Sequence, residues 1–167
     1  ARGWRTYDGS RLERDLTLEA DVVVVGSGAG GGTTAEILSA AGYKVLLIEE
    51  GPLRSSSDFS LQEPEAYGTL YQEGFGRMSK DGAITILQGR AVGGTTLINW
   101  TSSFRTPEQT LAHWAEVYAV RGHSPEELAP WFERMEQRLG VAPWAVPPNE
   151  NNSVIRDGCE RLGWQWA

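Results

Sequence analysis

The feature that most constrains the fold is a glycine-rich loop between two apolar runs, within residues 21–51. Four valines, Val22–Val25, precede the loop "GSGAGG" and predict a parallel strand that is covered on both faces. The glycines have the spacing G-x-G-x-x-G, in which the first makes a tight turn, the second admits a pyrophosphate and the third lets helix and strand pack closely. The stretch therefore predicts a strand, a phosphate-binding loop and a helix.

The residues that follow predict a dinucleotide-binding unit. A helix is expected over residues 29–41, with Gly42 ending it in the left-handed conformation, and Val45–Ile48 form a second strand. Glu49 stands at the carboxyl end of that strand, where an acid accepts hydrogen bonds from an adenosine ribose. With Glu50 beside it, a 2′-phosphate would be repelled. The stretch also resembles the opening of FAD-dependent oxidoreductases, in which a glycine closely follows this acid, although NAD enzymes carry the same glycines.

A second glycine-rich loop decides which family the chain resembles. The segment "GRAVGGTTLIN", residues 89–99, resembles the signature of the glucose–methanol–choline oxidoreductases. The next segment, "WTSSFRTP", is similar to the bacterial branch of that family that acts on long-chain or bulky alcohols. A later segment, "APWFERMEQRLGVAPW", resembles the part that follows the family's FAD loop. The resemblance covers nearly all of residues 21–164.

The resemblance implies an α/β fold: an incomplete Rossmann-like FAD/NAD(P)-binding domain with a parallel sheet, followed by helical segments from the start of a substrate domain. We expect an N-terminal extension at residues 1–20, the FAD-binding portion at 21–106 and the helical segment at 107–167.

The resemblance also implies that the two glycine loops bind opposite ends of one FAD. Glycines in the second loop would admit the planar flavin ring because they carry no side chain. Some relatives link the flavin covalently to a histidine one residue before the asparagine, and Ile98 occupies that position here, so we expect non-covalent FAD. The expected cofactor-binding residues are Gly26, Gly28, Ala29, Gly30, Gly31, Glu49, Glu50, Arg90, Val92, Gly93, Gly94, Thr95, Asn99 and Thr101.

The activity implied by the resemblance is the oxidation of an alcohol by hydride transfer to flavin, with oxygen or another carrier as the electron acceptor. The family's proton-accepting histidine and its partner lie in a C-terminal region that this chain does not contain, so no catalytic residue is expected in residues 1–167. His113, His123 and Cys159 lack the spacing of a metal site and are expected to be structural. Two alternatives stay open: a non-catalytic FAD-binding fragment or partner-dependent subunit, and an NAD-dependent dehydrogenase domain.

Composition limits the partners of the chain. A net charge of −7 and an isoelectric point near 4.9 argue against nucleic-acid binding, because a phosphodiester backbone would be repelled. No apolar run has the length of a membrane-spanning helix, and no secretory signal is visible, so neither is expected. The single cysteine fits a reducing compartment, which favours a cytoplasmic location.

The rest of the chain predicts a short strand at residues 83–87 and a helical stretch at 63–72. Two helices have matching start signals, with Thr106 and Ser124 as the capping residues, each followed by a proline. Pro130 is expected to disturb the second of them. A last helix is expected to begin at Asn152 or Ser153. An apolar stripe on the Ser124 helix is expected to be core, and consists of Leu128, Trp131, Phe132, Met135 and Leu139.

Overall fold

The computed structural model describes residues 5–143 and 145–165. The chain divides into two compact units, Ala1–Thr101 and Ser102–Ala167. The first unit contains both glycine loops, and helices make up most of the second.

The first unit is built on two parallel strands joined by a helix. Strand β1 (Val22–Val25) pairs with β2 (Val45–Ile48), with Val22 opposite Val45 and Val25 opposite Ile48. Helix α1 (Ala29–Ala40) connects them and is followed by Gly42 with φ +94°. The predicted strand–loop–helix–strand unit and its α/β class are confirmed, and the helix ends one residue earlier than expected.

The packing of α1 on β1 depends on Gly31. A Cβ atom at this position would overlap the carbonyl oxygen of Gly26 and lie 3.4 Å from the Cγ1 atom of Val24. The opposite face of β1 is open, since Val23 is 54% exposed and Val25 is 81% exposed. The expectation of a strand covered on both faces is therefore wrong for the described chain, because only α1 packs against it.

The connection from β2 to the second glycine loop contains one α-helix, α2 (Glu63–Leu70), which confirms the helical stretch predicted there. Beside it, the rings of Tyr67, Tyr71 and Phe75 pack against one another with centroids 4.5–5.6 Å apart. Backbone hydrogen bonds then tie this region to the second loop, because the amide of Gln72 donates to the carbonyl of Gln88 at 2.8 Å.

The strand predicted at residues 83–87 is wrong. Thr85 forms only an isolated antiparallel bridge with Met78. Around it, the amide of Ile86 donates to the carbonyl of Arg77, and the amide of Ser79 donates to the carbonyl of Ile84, both at 2.9 Å. The pairing is thus limited to one bridge and does not extend into a ladder.

The second unit contains helices α3 (Glu108–Tyr118), α4 (Pro125–Leu139) and α5 (Glu150–Leu162). The predicted start of α4 is confirmed: the hydroxyl of Ser124 accepts from the amide of Glu127 at 3.2 Å, and the Glu127 carboxylate accepts from the Ser124 amide at 3.0 Å. Gly140, with φ +66°, ends the helix as expected.

Three details of these helices differ from the predictions. The residue that caps α3 is Pro107 and not Thr106, because the Pro107 carbonyl accepts from the amide of Thr110. Helix α4 continues through Pro130 without a break. The proline costs the helix one backbone hydrogen bond, and the capping box at Ser124 stabilises the turn that precedes it. Asn149 caps α5, since its Oδ1 accepts from the amide of Asn152 at 2.9 Å.

The apolar stripe of α4 is not a core among the described residues. Trp131 is 59% exposed and Leu139 is 67% exposed, whereas Leu111 on α3 is buried.

A bidentate ion pair joins the segment before α3 to α4. Arg105 donates to both carboxylate oxygens of Glu136, at 2.7 and 2.6 Å. Within the ranges that the structure covers, no helix is long and apolar enough to cross a membrane.

Candidate cofactor-binding site

The first glycine loop presents unpaired backbone donors to open space. Gly26, at φ +88°, turns the chain out of β1, and its amide donates to the carbonyl of Ile48 at 2.7 Å. Helix α1 begins after Gly28 with no side-chain cap and no acidic residue in its first turn. A Cβ atom at Gly28 or Gly30 would meet nothing within 4 Å. Free amides at a helix N-terminus with open space beside them fit an anionic group.

The second glycine loop is in contact with the first. The amide of Gly93 donates a hydrogen bond of 2.9 Å to the hydroxyl oxygen of Ser27. A Cβ atom on Gly94, which has φ +55°, would lie 3.0 Å from the Cα atom of Gly28. The two loops, far apart in the sequence, therefore form one continuous surface.

Backbone contacts also join the second loop to the end of β2. The amide of Val92 donates to the carbonyl of Pro52 at 3.0 Å. A Cβ atom on Gly51 would overlap the backbone of Arg90 and Ala91, and Ala91 is fully buried. Glycine at position 51 is therefore required for this approach, because any side chain would separate the two segments.

Glu49 is fixed by hydrogen bonds from both sides. Its Oε2 accepts from the amide of Ser27 at 2.8 Å and from the Ser27 hydroxyl at 2.7 Å, while its Oε1 accepts from the amide of Gly51 at 2.9 Å. Burial raises the pKa of Glu49, but the hydrogen bonds from the Ser27 hydroxyl and from the amides of Gly51 and Ser27 together lower it below its ordinary value. The carboxylate is therefore ionised at neutral pH.

Glu50 lies in a different arrangement from Glu49. Its Oε2 is 3.5 Å from the Nε of Arg90 in the second loop, and its Oε1 accepts from the side-chain amide of Gln72. Both members of the ion pair are at least half exposed, so the pair contributes little to stability. Arg90 is thus next to an acid of the β2 end, and its predicted contact with the cofactor stays a prediction.

The remaining predicted residues lie in and after the second loop. The Thr95 hydroxyl accepts from the amide of Gly89 at 3.2 Å and closes the loop. Asn99 Oδ1 accepts from the amide of Thr101 at 3.0 Å, and the Thr101 hydroxyl donates to the carbonyl of Trp100. The hydrogen bonds of Asn99 and Thr101 are thus local to one turn. By contrast, the structure brings together Gly26, Gly28, Gly31, Glu49, Val92, Gly93 and Gly94.

The sequence analysis missed Ser27, Pro52 and Ala91 as parts of this arrangement, and it noted Gly51 only as the glycine that follows the acid in the FAD resemblance. Ser27 is a hydroxyl residue between two glycines, and only 8% of it is exposed. The one sequence feature that marks Ser27 is its place between two glycines of the loop, and that place does not reveal its distant partners. Nothing comparable marks Pro52, which takes part through its backbone carbonyl.

The histidines and the cysteine belong to the second compact unit. His123 Nδ1 is 2.6 Å from the carbonyl oxygen of Arg121, and the His113 ring meets the Tyr118 ring edge-on at 5.7 Å. Cys159 is a partly buried free thiol on α5. In the part of the chain that the structure describes, no group of three His, Cys, Asp or Glu residues could hold a metal ion.

Comparison with known proteins identifies the family. The family model described as GMC oxidoreductase matches residues 67–167, and the model described as FAD binding domain matches residues 21–63. The chain belongs to the GMC oxidoreductase family. The resemblance seen in the sequence is confirmed, and the two matches fall on the two glycine loops in the expected order.

Relatives found by sequence support the same assignment. A long-chain-alcohol oxidase of Arabidopsis thaliana is 39% identical over 95% of this chain and 21% of its own length. An uncharacterized GMC-type oxidoreductase of Sinorhizobium fredii is 35% identical over 94% of this chain and 31% of its own. Among solved structures, pyridoxine 4-oxidase from Mesorbium loti matches with a TM-score of 0.49 and 25% identity, over 68% of this chain and 24% of that one. The chain thus spans about a fifth of the length of several long-chain-alcohol oxidases that it matches.

The cofactor of this GMC oxidoreductase domain is FAD, which sets aside the alternative of an NAD-dependent dehydrogenase. The geometry of the two loops fits such a group. The uncapped first turn of α1 suits a pyrophosphate, and the glycines at 93 and 94 leave backbone bare of side chains at the point where the loops meet.

Proposed function

We propose that this chain supplies the FAD-binding part of an oxidoreductase that oxidises the CH–OH group of alcohols. The observation that carries the proposal is the contact between the two glycine loops, where Gly93 bonds to Ser27 and Gly94 approaches Gly28. An elongated dinucleotide needs two binding surfaces at a fixed separation, and contiguous loops provide them.

The first loop would bind the ADP half of FAD. Amides in the first turn of α1, at Ala29, Gly30 and Gly31, would donate to the pyrophosphate together with the positive end of the helix dipole. A carboxylate has about four acceptor positions. Three hydrogen bonds already reach Glu49, so its Oε1 retains room to accept from a ribose hydroxyl.

The second loop would bind the flavin half. Its bare backbone at Gly93 and Gly94 would lie against the ring, with Val92, Thr95, Asn99 and Thr101 as nearby walls and hydrogen-bonding groups. FAD bound there supplies an acceptor for the hydride that leaves the carbinol carbon. Because Ile98 replaces the histidine that some relatives use, the flavin would be held without a covalent bond.

The relatives support an alcohol as the electron donor and oxygen as the acceptor, since several of them are named long-chain-alcohol oxidases. We place the base that takes the hydroxyl proton outside residues 1–167, because the resemblance puts the family's proton-accepting histidine in a C-terminal region, beyond the part that this chain matches. A cytoplasmic location and the boundaries of the expected domains stay predictions.

The test uses the full-length protein encoded by the frame that contains this chain. Purified protein should show the visible absorbance of oxidised flavin, and anaerobic addition of long-chain or bulky alcohols should bleach it. Matched carboxylic acids of the same carbon number serve as controls and should leave the spectrum unchanged. Absence of flavin would contradict the FAD site. Flavin that no alcohol reduces would instead favour the second candidate, a non-catalytic FAD-binding protein.

A further inference from the structure

Ser27 connects three segments that the proposed FAD site needs at the same time. Its hydroxyl donates to Glu49 Oε2 at 2.7 Å and accepts from the amide of Gly93 at 2.9 Å. Its own amide donates to the same Glu49 oxygen at 2.8 Å. One side chain in the first loop is therefore bonded both to the acid at the end of β2 and to the backbone of the second loop.

We infer that Ser27 is a positioning residue for FAD: its hydroxyl orients the Glu49 carboxylate toward the adenosine ribose and fixes the second loop at the distance that the flavin half requires. This inference rests on the proposed FAD site. Ser27 need not touch the reacting atoms, because it acts through Glu49 and Gly93.

The local environment of Ser27 supports this role. Among the described residues, Ser27 is a polar residue that is buried, with 8% of its surface exposed. Water therefore competes little for its hydrogen bonds. Ala91, close to the Gly93 end of the bond, is fully buried. Without the Ser27 hydroxyl, the Gly93 amide and one acceptor position of Glu49 would lose their partner in a partly buried site.

In that variant the two loops would move apart, because the unpaired Gly93 amide and Glu49 oxygen would then be able to hydrogen-bond to water. FAD would then have to bring them back together on binding, which lowers its affinity in proportion to the fraction of molecules that are still correctly arranged. The consequence is specific to FAD binding, because the loops rather than the strands would move.

The test measures FAD binding to the full-length protein after the cofactor has been removed, by quenching of FAD fluorescence. We expect Ser27→Ala to raise the FAD dissociation constant roughly ten- to a hundredfold, the effect of losing one or two buried hydrogen bonds. Ser27→Thr retains the hydroxyl and should restore most of the affinity. Ser39→Ala makes the same chemical change at an exposed position of α1, where the hydroxyl bonds only to the carbonyl of Glu36, and should bind FAD as the parent does.

A double-mutant cycle distinguishes positioning from a general loss of stability. If Ser27 acts through Glu49, the effects of Ser27→Ala and Glu49→Gln on the dissociation constant will be less than multiplicative. An unchanged FAD dissociation constant in Ser27→Ala would overturn the inference, whether or not the melting temperature of the apoprotein falls. A parent protein that binds no FAD would instead overturn the proposed function itself.

Discussion

The amide of Gly93 donates a hydrogen bond of 2.9 Å to the hydroxyl of Ser27, across 66 positions of the sequence. This bond joins a loop in the segment that matches an FAD-binding domain to a loop in the segment that matches GMC oxidoreductases. Since each loop alone could bind only part of a dinucleotide, their contact is the physical basis of the proposed single cofactor site.

Gly94→Ala should reduce the amount of FAD bound by the purified full-length protein. The new methyl group would lie 3.0 Å from the Cα atom of Gly28, closer than most carbon contacts, and would force the loops apart. It would also place alanine at φ +55°, at a cost of about 1–2 kcal/mol. The measurement is the ratio of flavin to protein absorbance.

The matched control for that variant is Gly122→Ala. Gly122 has φ +73°, so alanine meets the same backbone strain, but a Cβ atom there would have no neighbour within 4 Å. We expect it to lose stability and keep the parent's FAD content. Equal FAD content in both variants would show that the contact between the loops does not matter for the cofactor.

Gly31→Ala should destabilise the protein, by about 1–3 kcal/mol or more, because its Cβ would overlap the carbonyl of Gly26 where α1 packs on β1. Gly68→Ala makes the same change in α2, where a Cβ meets nothing within 4 Å, and should stabilise that helix by up to about 1 kcal/mol. Melting temperatures of the two variants should therefore move in opposite directions from the parent. A melting temperature for Gly31→Ala at or above the parent value would contradict this account of the packing.

The ionised Glu49 should make stability depend on pH in the acidic range. Because the hydrogen bonds lower its pKa in the folded state, its contribution is present above the unfolded pKa of about 4.3 and is lost as the pH falls through the folded pKa. Glu49→Gln should therefore lower the melting temperature at neutral pH, and the difference from the parent should shrink as the solution is acidified. The exposed Glu19, changed to Gln, is the control and should leave the melting temperature at neutral pH near the parent value. A constant difference between parent and Glu49→Gln at every pH would argue against the stabilised carboxylate.

The flavin should be released when the protein is denatured with acid. With Ile98 one residue before Asn99, the second loop has no histidine at the position from which some relatives form a covalent bond. The measurement is the distribution of yellow colour between supernatant and precipitate, with a known covalent flavoprotein treated in parallel. Flavin that remains in the precipitate would show a covalent link through another residue.

Local sequence patterns predicted the strand–loop–helix–strand part of the first unit well. The valine run, the glycine spacing and Gly42 determine β1, the loop and α1 through short-range sterics, so they can be deduced without knowing the rest of the chain. The same is true of the start of α4, where Ser124 and Glu127 satisfy each other's backbone amides.

The helix caps at Thr106 and Asn152 or Ser153 were local errors of a few residues, whereas other errors arose where the outcome depends on a second segment of the chain. Residues 83–87 have the composition of a strand, but a ladder also needs a second extended segment, and the pairing here is limited to one bridge. The exposure of Val25 likewise depends on what covers the sheet. Ser27 was missed for a related reason: its importance comes from two bonds to residues far away in sequence, which neither propensity nor periodicity records.

The most direct test of the central claim, that the two glycine loops bind one FAD, is an experimental structure of the full-length protein purified with its cofactor. The account predicts a single FAD with its pyrophosphate at the start of α1, its adenosine ribose at Glu49 and its flavin ring against Gly93 and Gly94. A flavin ring that lies away from the second loop, or a second loop that contacts no part of the FAD, would contradict it.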